Sequence, residues 1–343
     1  MRQTSSTSGS KIRRFARPVL FLALLTLLMA ALQFIMTPRY DRDLVWAQYE
    51  SLPAGSVEVL FLGASPVHSN INPVIIWEET GIRSYDLSGS AQTLLFTYWH
   101  LEEALTTQSP DLVVLELRML SRQNHEFTEI QKNSSLTMMP LGEAKLRLVV
   151  EALPSTEWTR YLIPLEKFHS RWSELRRSDF DPAKWTRTRD NLYLGFRSTD
   201  RVEAQVVSST RKPYDDTLYE ENYEYVSRII ERAHAAEAEV LLFVSPSSRP
   251  HLHDEWMEGF SADLAEDYPS VRILNAEDFT DDFGLDYATD FYDGTHLNTR
   301  GAEKHSRWLA VQIETMLGSR SIESGEVSLP WKNALSRYVS TER

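Results

Sequence analysis

The stretch "VEVLFLGAS", residues 57–65, suggests how the whole chain folds. It is a short apolar run that ends in Gly63, and a serine follows two positions later. Such a run predicts a strand that is buried on both faces, as in a parallel sheet. Ser65 would then stand at the carboxyl end of that strand, where it either caps the next helix or acts as a nucleophile.

The rest of the chain alternates between apolar strands and amphipathic helices. Helical spacing covers residues 91–107, 223–238 and 299–317, and further strands are predicted at 84–90, 111–117, 239–246 and 271–278. This alternation indicates an α/β fold with a central parallel sheet and helices on both faces. Ligands bind at the carboxyl ends of such strands, where residues 65, 88–90, 116–118 and 245–248 fall.

Two regions depart from the alternation. Residues 119–217 are rich in charge and hold Trp158, Trp172 and Trp185. They predict an insertion after the third strand, which either caps the strand ends or extends the fold as ordinary helices. From Gly318 onward the chain is polar and predicts a loosely packed tail.

Composition excludes several classes of function. The chain has 343 residues, a formal net charge of −13 and no cysteine. The negative charge argues against nucleic acid as a partner. The lack of cysteine excludes disulfides, a thiol nucleophile and a cysteine-based zinc site.

Residues 18–36 form an uncharged apolar segment. As a helix it would span roughly 28 Å, close to the hydrocarbon thickness of a bilayer. Basic residues precede it, namely Arg2, Lys11, Arg13, Arg14 and Arg17. We therefore expect a single-pass anchor in the cytoplasmic membrane, with the N-terminus in the cytoplasm and the main domain outside. A cleaved signal peptide is the alternative.

The stretch "DFYDGTHLNTRGAEKHS", residues 290–306, could provide the groups that Ser65 needs. In it, Asp293 precedes His296 by three positions, with Gly294 allowing a tight turn. A carboxylate at this spacing can orient one imidazole nitrogen, which leaves the other nitrogen able to accept a proton from a serine hydroxyl.

These blocks resemble the SGNH (GDSL-like) hydrolase superfamily. "FLGAS" is similar to the first block of that family, and "DGTH" is similar to its last. The resemblance implies a three-layer, flavodoxin-like fold and a catalytic triad of Ser65, Asp293 and His296. It also implies an oxyanion hole made by backbone N–H groups of Ser65 and of Gly89, which lies in "DLSGSAQTL".

The phrase "LGASPVHSNINP" further resembles the membrane-anchored cell-envelope branch, which includes DltD and the alginate O-acetylation proteins. The expected organisation is a cytoplasmic tail (1–17), an anchor (18–36), a linker (37–56), the SGNH-like domain (57–317) and a C-terminal tail (318–343). The branch implies acyl modification of an envelope polysaccharide or exopolysaccharide, without a cofactor. A membrane-bound O-acyltransferase is the implied protein partner.

Two departures from the family pattern affect the expected activity. Ala64 replaces the usual Asp of the first block, and "LELRML" stands where the third block has Gly-x-Asn-Asp. That Asn normally gives an oxyanion donor, whose loss can cost about 10²–10³ in turnover. Arg118 and Gln92 are candidates to replace it.

Two histidine-containing features allow other interpretations. His68 is either a rival base, a substrate contact or a surface residue. "HLHD", residues 251–254, suggests a metal pair but has no distant third ligand. The sequence therefore predicts no metal site, and it predicts either a serine hydrolase or acyltransferase, or a weakly active accessory protein that binds a polysaccharide or a partner enzyme.

Overall fold

The computed structural model describes residues 8–38, 44–137, 139–182, 192–208, 215–249, 254–318 and 325–343. The chain divides into two compact units. One unit comprises Met1–Arg39 and Pro154–Lys184, and the other comprises Tyr40–Leu153 and Trp185–Arg343. The larger unit contains the sheet and the candidate site.

The strands are β1 (Val59–Gly63), β2 (Ser84–Ser88), β3 (Leu112–Glu116), β4 (Leu192–Tyr193), β5 (Phe196–Arg197), β6 (Glu239–Val244) and β7 (Arg272–Asn275). The helices are α1 (Ser8–Met36), α2 (Leu44–Glu50), α3 (Ser65–Asn70), α4 (Pro73–Thr80), α5 (Leu94–Ala104), α6 (Glu129–Leu136), α7 (Glu143–Ala152), α8 (Trp158–Leu162), α9 (Pro164–Phe168), α10 (Tyr219–Ala235), α11 (Asp254–Asp267), α12 (Thr299–Leu317) and α13 (Leu329–Glu342).

The central sheet has five parallel strands among the described residues, in the order β2-β1-β3-β6-β7. Apart from the small antiparallel pair β4-β5, this is the flavodoxin-like order 2-1-3-4-5. In that order the chain reverses direction across the sheet between β1 and β3. Their carboxyl ends form the crevice where such sheets bind ligands. The α/β class and the parallel sheet are thereby confirmed.

The sheet is buried on both faces. Val59 and Phe61 of β1 pack in one core cluster with Leu309 and Ile313 of α12. Leu60 and the other alternate residues of β1 are also fully buried, and α5 and α10 cover that side. The apolar positions of α10 recur at helical spacing, which explains why this polar segment folds against the sheet.

The C-terminal segment is not a loosely packed tail, so that expectation was wrong. It contains α13, in which Trp331 and Tyr338 are fully buried. The indole of Trp331 donates a hydrogen bond to the Ser84 carbonyl (2.9 Å) and lies against the ring of Trp77. Two large aromatic residues on one helical face are enough to dock an otherwise polar segment.

The segment expected to be a linker, residues 37–56, also contains packed structure. Within it, α2 buries Val45, Trp46 and Tyr49 in the larger unit. The hydroxyl of Tyr85 in β2 donates to the Val45 carbonyl at 2.6 Å. The described part of this stretch is therefore integral to the α/β unit.

The predicted insertion is divided between the two units. Its first part contains α6, which lies at the carboxyl end of β2: Gln131 Nε2 donates to the Ala91 carbonyl (2.9 Å). Residues 154–184 belong with α1 instead, and there Arg171 donates to the Met36 carbonyl (2.6 Å) and to Asp179.

α1 contains the predicted anchor. Within Ala16–Met36, an 18-residue stretch has a mean hydropathy of 2.5 and only 6% of it is buried, whereas Met36 at the end of the helix is fully buried. The helix is long and apolar enough to cross a membrane, and a signal sequence near the N-terminus has the same properties.

Candidate active site

Ser65 is the first residue of α3 and stands two positions after the end of β1. Gly63 makes this turn with a φ of 144°, a conformation that favours glycine. A Cβ on Gly63 would lie 2.9 Å from the Cβ of Glu116, so the ends of β1 and β3 approach closely only because position 63 lacks a side chain. The N-cap of α3 is Ala64, whereas Ser65 Oγ contacts His296. Ser65 is therefore not the helix cap.

His296 joins Ser65 to Asp293. Its Nε2 lies 2.7 Å from Ser65 Oγ, and its Nδ1 lies 2.9 Å from each carboxylate oxygen of Asp293. The carboxylate also accepts the backbone N–H groups of Thr295 (2.8 Å) and His296 (3.1 Å), which closes the turn. A continuous chain of hydrogen bonds thus runs from the serine hydroxyl to the carboxylate.

Two opposing effects set the pKa of Asp293. Partial burial raises it, but the hydrogen bond and charge of His296 and the hydrogen bonds from Thr295 outweigh burial and bring the pKa to about 2. The carboxylate is therefore ionised at neutral and mildly acidic pH. An ionised Asp293 favours the imidazole tautomer with its proton on Nδ1, which leaves the Nε2 lone pair facing Ser65 Oγ.

Asn70 fixes the position of the His296 turn. Its Oδ1 accepts the backbone N–H of Leu297 (2.8 Å), and its Nδ2 lies 3.4 Å from the carbonyl oxygens of Thr295 and Pro246. Asn70 is fully buried at the end of α3, the helix that begins with Ser65. One short helix therefore carries the serine at one end and the residue that holds its base at the other.

The sequence did not identify Asn70 as a site residue. The available signal was the polar run His68, Ser69 and Asn70, which begins three positions after the serine. Ser69 also belongs to this support, because its Oγ lies 3.1 Å from the hydroxyl of Tyr292. The Tyr292 ring stacks on the His296 imidazole, with centroids 5.3 Å apart.

Gly89 lies beside the serine turn, at the end of β2. Its backbone N–H points to the Gly63 carbonyl at the long distance of 3.4 Å. A Cβ at this position would come within 2.8 Å of Gln92 Oε1 and 3.2 Å of Ser135 Oγ, so a side chain here would displace the Gln92 amide. The oxyanion role of the Gly89 N–H stays a prediction, in which this group exchanges its long hydrogen bond for a substrate oxygen.

Gln92 and His68 are both hydrogen-bonded to other side chains of the protein. Gln92 is fully buried, and its Nε2 donates to Thr97 Oγ1 at 3.1 Å. His68 is also buried rather than on the surface, and its Nδ1 lies 2.9 Å from Ser88 Oγ. Because His296, and not His68, contacts Ser65 Oγ, the idea of His68 as a rival base receives no support.

Arg118 begins the short 3₁₀ turn Arg118–Ser121 after β3. Burial lowers its pKa, while the negative charges of Glu116, Glu277 and Asp293 act in the opposite direction. Arg118 thus lies within electrostatic reach of the Asp293 carboxylate. Of Arg118 and Gln92, Arg118 is the residue whose pKa is affected by the charge of Asp293.

The metal pair suggested by "HLHD" rests on His251 and His253, which lie outside the described residues. Comparison with known proteins adds no assignment: no protein-family model matches the chain, and no curated protein matches it.

Proposed function

We propose that the protein is an extracytoplasmic serine acyl-ester hydrolase or O-acyltransferase. The observation that carries the proposal is the chain of hydrogen bonds from Ser65 Oγ through His296 to Asp293, with distances of 2.7 and 2.9 Å. These are the distances expected between a nucleophile, its general base and the group that orients the base.

The reaction would proceed in two steps. Ser65 Oγ attacks the carbonyl carbon of an ester as its proton passes to His296 Nε2. The tetrahedral intermediate collapses, and the leaving alcohol takes the proton from His296, which leaves the acyl group on Ser65. Water or an acceptor hydroxyl then attacks the acyl carbon, its proton passes to His296 and then to Ser65 Oγ, and the enzyme is regenerated.

Asp293 holds the imidazole in the required tautomer and stabilises the imidazolium that forms in each step. The backbone N–H groups of Ser65 and Gly89 would stabilise the oxyanion. Arg118 is the candidate to supplement them, because "LELRML" lacks the Asn of the family pattern.

The apolar helix α1 supports placement at a membrane surface. We propose that it anchors the enzyme in the cytoplasmic membrane, with the larger unit on the extracytoplasmic side. The expected acceptor is then an envelope polysaccharide or exopolysaccharide, and a membrane-bound O-acyltransferase is the expected source of the acyl group.

Two observations favour a second candidate, a catalytically weak accessory protein. The Gly89 N–H already has an acceptor in Gly63, and an arginine stands where an oxyanion-donating Asn is expected. A protein with a poor oxyanion hole would still bind a polysaccharide or the acyltransferase partner.

A fluorophosphonate probe tests the enzyme proposal. We expect covalent labelling of the purified full-length protein, and loss of labelling in Ser65→Ala and in His296→Ala. Ser51→Ala, at an exposed serine, is the control that should label like wild type. A wild-type protein that is folded but unlabelled would favour the accessory role, and labelling that survives in Ser65→Ala would disprove the assignment of the nucleophile.

A further inference from the structure

A cleft of about 770 Å³ opens at the carboxyl ends of β3, β6 and β7. Its size falls in the range of roughly 300–1,000 Å³ that is typical of small-molecule sites. Residues of these strand ends line it, among them Glu116, Ser245 and Asn275. None of these side chains belongs to the Ser65–His296–Asp293 chain, so the cleft is a separate feature of the same sheet edge.

Two buried polar atoms in the cleft lining have no hydrogen-bond partner among the described residues, namely Glu116 Oε2 and Ser245 Oγ. Glu116 is 2% exposed and Ser245 is 3% exposed. The Glu116 carboxyl accepts backbone N–H groups of Arg118 and Ser245, which leaves Oε2 for another donor. Buried polar atoms are nearly always hydrogen-bonded, so two exceptions on residues that line one cleft indicate a ligand with hydroxyl groups.

The charge of the lining restricts that ligand. Four carboxyl groups line the cleft, those of Glu116, Glu258, Glu277 and Asp278, while Arg118 is the cationic side chain among the described lining residues. Burial raises the pKa of Glu116 to about 7 even though the Arg118 charge opposes this, so Glu116 is partly neutral near pH 7. The remaining carboxylates disfavour an anionic ligand such as a phosphate or a uronic acid.

The remaining lining is apolar. Met257, Leu274 and Phe279 contribute side chains to the cleft. A sugar ring presents hydroxyl groups around its edge and C–H groups on its faces. It can therefore offer hydrogen bonds to Glu116 Oε2 and Ser245 Oγ and C–H contacts to the apolar side chains.

The cleft is connected to the catalytic turn through the loop that follows β6. Ser245 lines the cleft, and two and three residues later the side chains of Ser247 and Ser248 donate to the Gly294 carbonyl at 3.1 and 2.9 Å. Gly294 lies inside the turn that carries Asp293 and His296. On the other side, Glu116 packs against Gly63, two residues before Ser65.

We propose that this cleft holds a non-anionic, hydroxyl-rich sugar ring of the acyl acceptor, with its hydroxyl groups bonded to Glu116 Oε2 and Ser245 Oγ. The proposal rests on the acyl-transfer function given above, and it specifies that the acceptor ring carries no anionic group. In the transfer step, a neighbouring acceptor hydroxyl attacks the acyl carbon on Ser65. Its proton passes to His296 Nε2, the Ser65 Oγ–acyl bond breaks, and Ser65 Oγ takes the proton from His296.

Calorimetric titration of the full-length protein in lipid nanodiscs tests this proposal. The probes are two β-1,4-linked trisaccharides that differ in charge: cellotriose and triglucuronate. We expect cellotriose to bind at least about tenfold more tightly than triglucuronate. Ser245→Ala and Glu116→Gln should each weaken cellotriose binding by roughly three- to tenfold, because each removes or alters one ligand hydrogen bond.

Ser56→Ala is the matched control. Ser56 is also fully buried and its Oγ also lacks a partner among the described residues, but it precedes β1, at the opposite edge of the sheet. Cellotriose binding should be unchanged in this variant. Binding that is equal in wild type and Ser245→Ala would overturn the proposal, as would an absence of cellotriose binding or a preference for triglucuronate.

Ser65→Ala separates this inference from the proposed enzyme. It should bind cellotriose like wild type but fail to react with the fluorophosphonate probe. If wild type does not react with that probe and Ser245→Ala still impairs binding, the sugar site stands and the enzyme proposal falls. If the probe labels Ser65 and no trisaccharide binds, the enzyme proposal stands and the sugar site falls.

Discussion

Two neighbouring regions at the carboxyl edge of the sheet differ in how their polar atoms are satisfied. Around the serine, the side chains of Ser65, His296, Asp293 and Asn70 all have hydrogen-bond partners within the protein. In the cleft beyond β3, Glu116 Oε2 and its neighbour Ser245 Oγ have none among the described residues. The first region is preorganised, as a catalytic group must be, while the second retains capacity for an incoming ligand.

The largest effect should come from breaking the preorganised region. Ser65→Ala and His296→Ala should each lower kcat for p-nitrophenyl acetate by about 10³-fold or more, and the double variant should be little worse than either, because the two residues act as one unit. Asp293→Asn should cost less, since Asp293 orients the imidazole without contacting the substrate. Effects of Ser65→Ala and His296→Ala that multiply in the double variant would contradict a shared role.

The next effect concerns the support of the His296 turn. Asn70→Ala removes the acceptor for the Leu297 N–H and should destabilise the protein by about 3 kcal/mol, because it leaves buried backbone groups unpaired. It should also lower kcat by roughly tenfold or more, because His296 is no longer held in position. KM should change little, because the substrate-binding site is left intact. Chemical denaturation and steady-state kinetics measure the two effects.

Asn124→Ala is the control for that experiment. Asn124 is equally buried and is hydrogen-bonded to Asn222 and to the backbone N–H of Leu95. Its loss should reduce stability to a similar extent while leaving kcat per folded molecule unchanged. If Asn70→Ala and Asn124→Ala lower kcat equally, Asn70 has no specific positioning role.

The same comparison explains what the sequence could and could not predict. The sheet strands followed from local apolar runs, and the order of the "FLGAS" and "DGTH" blocks selected Ser65, Asp293 and His296. The role of Asn70 depends on a contact with Leu297, 227 residues away, for which no local pattern exists. The docking of α13 likewise depends on Trp331 meeting Ser84 and Trp77, so its polar composition gave the wrong expectation.

The cleft could not be predicted for the same physical reason. The sequence shows only a glutamate and an arginine two positions apart at a strand end. Whether a carboxyl oxygen lacks a partner depends on the chain that surrounds it, here the loop after β6 and the serine turn. Only the folded arrangement reveals that Glu116 is buried beside Gly63.

The smallest effect tests the cleft through the pH dependence of stability. Burial raises the pKa of Glu116 from 4.5 to about 7, and the charge of Glu277 acts in the same direction. The charge of Arg118 and hydrogen bonds from the backbone of Arg118 and Ser245 lower the pKa but do not outweigh burial. The folded protein therefore binds more protons than the unfolded chain in this range. The contribution of Glu116 to stability is complete below pH 4.5 and is lost as the pH rises through about 7, by about 2 kcal/mol between about pH 5 and pH 7.

Glu116→Gln cannot titrate, so its free energy of unfolding should fall less steeply over that interval than that of the wild type. Glu326→Gln, at an exposed position, is the control and should follow the wild-type slope. The pKa of Asp293, about 2, affects the free energy of unfolding only as the pH falls below 4. The effects of Glu116 and Asp293 on stability therefore occur in different pH ranges. Urea denaturation at pH 5, 6 and 7 measures the slopes. Parallel curves for wild type and Glu116→Gln would mean that Glu116 is ionised and satisfied in the folded protein, and that the two regions do not differ in the way described.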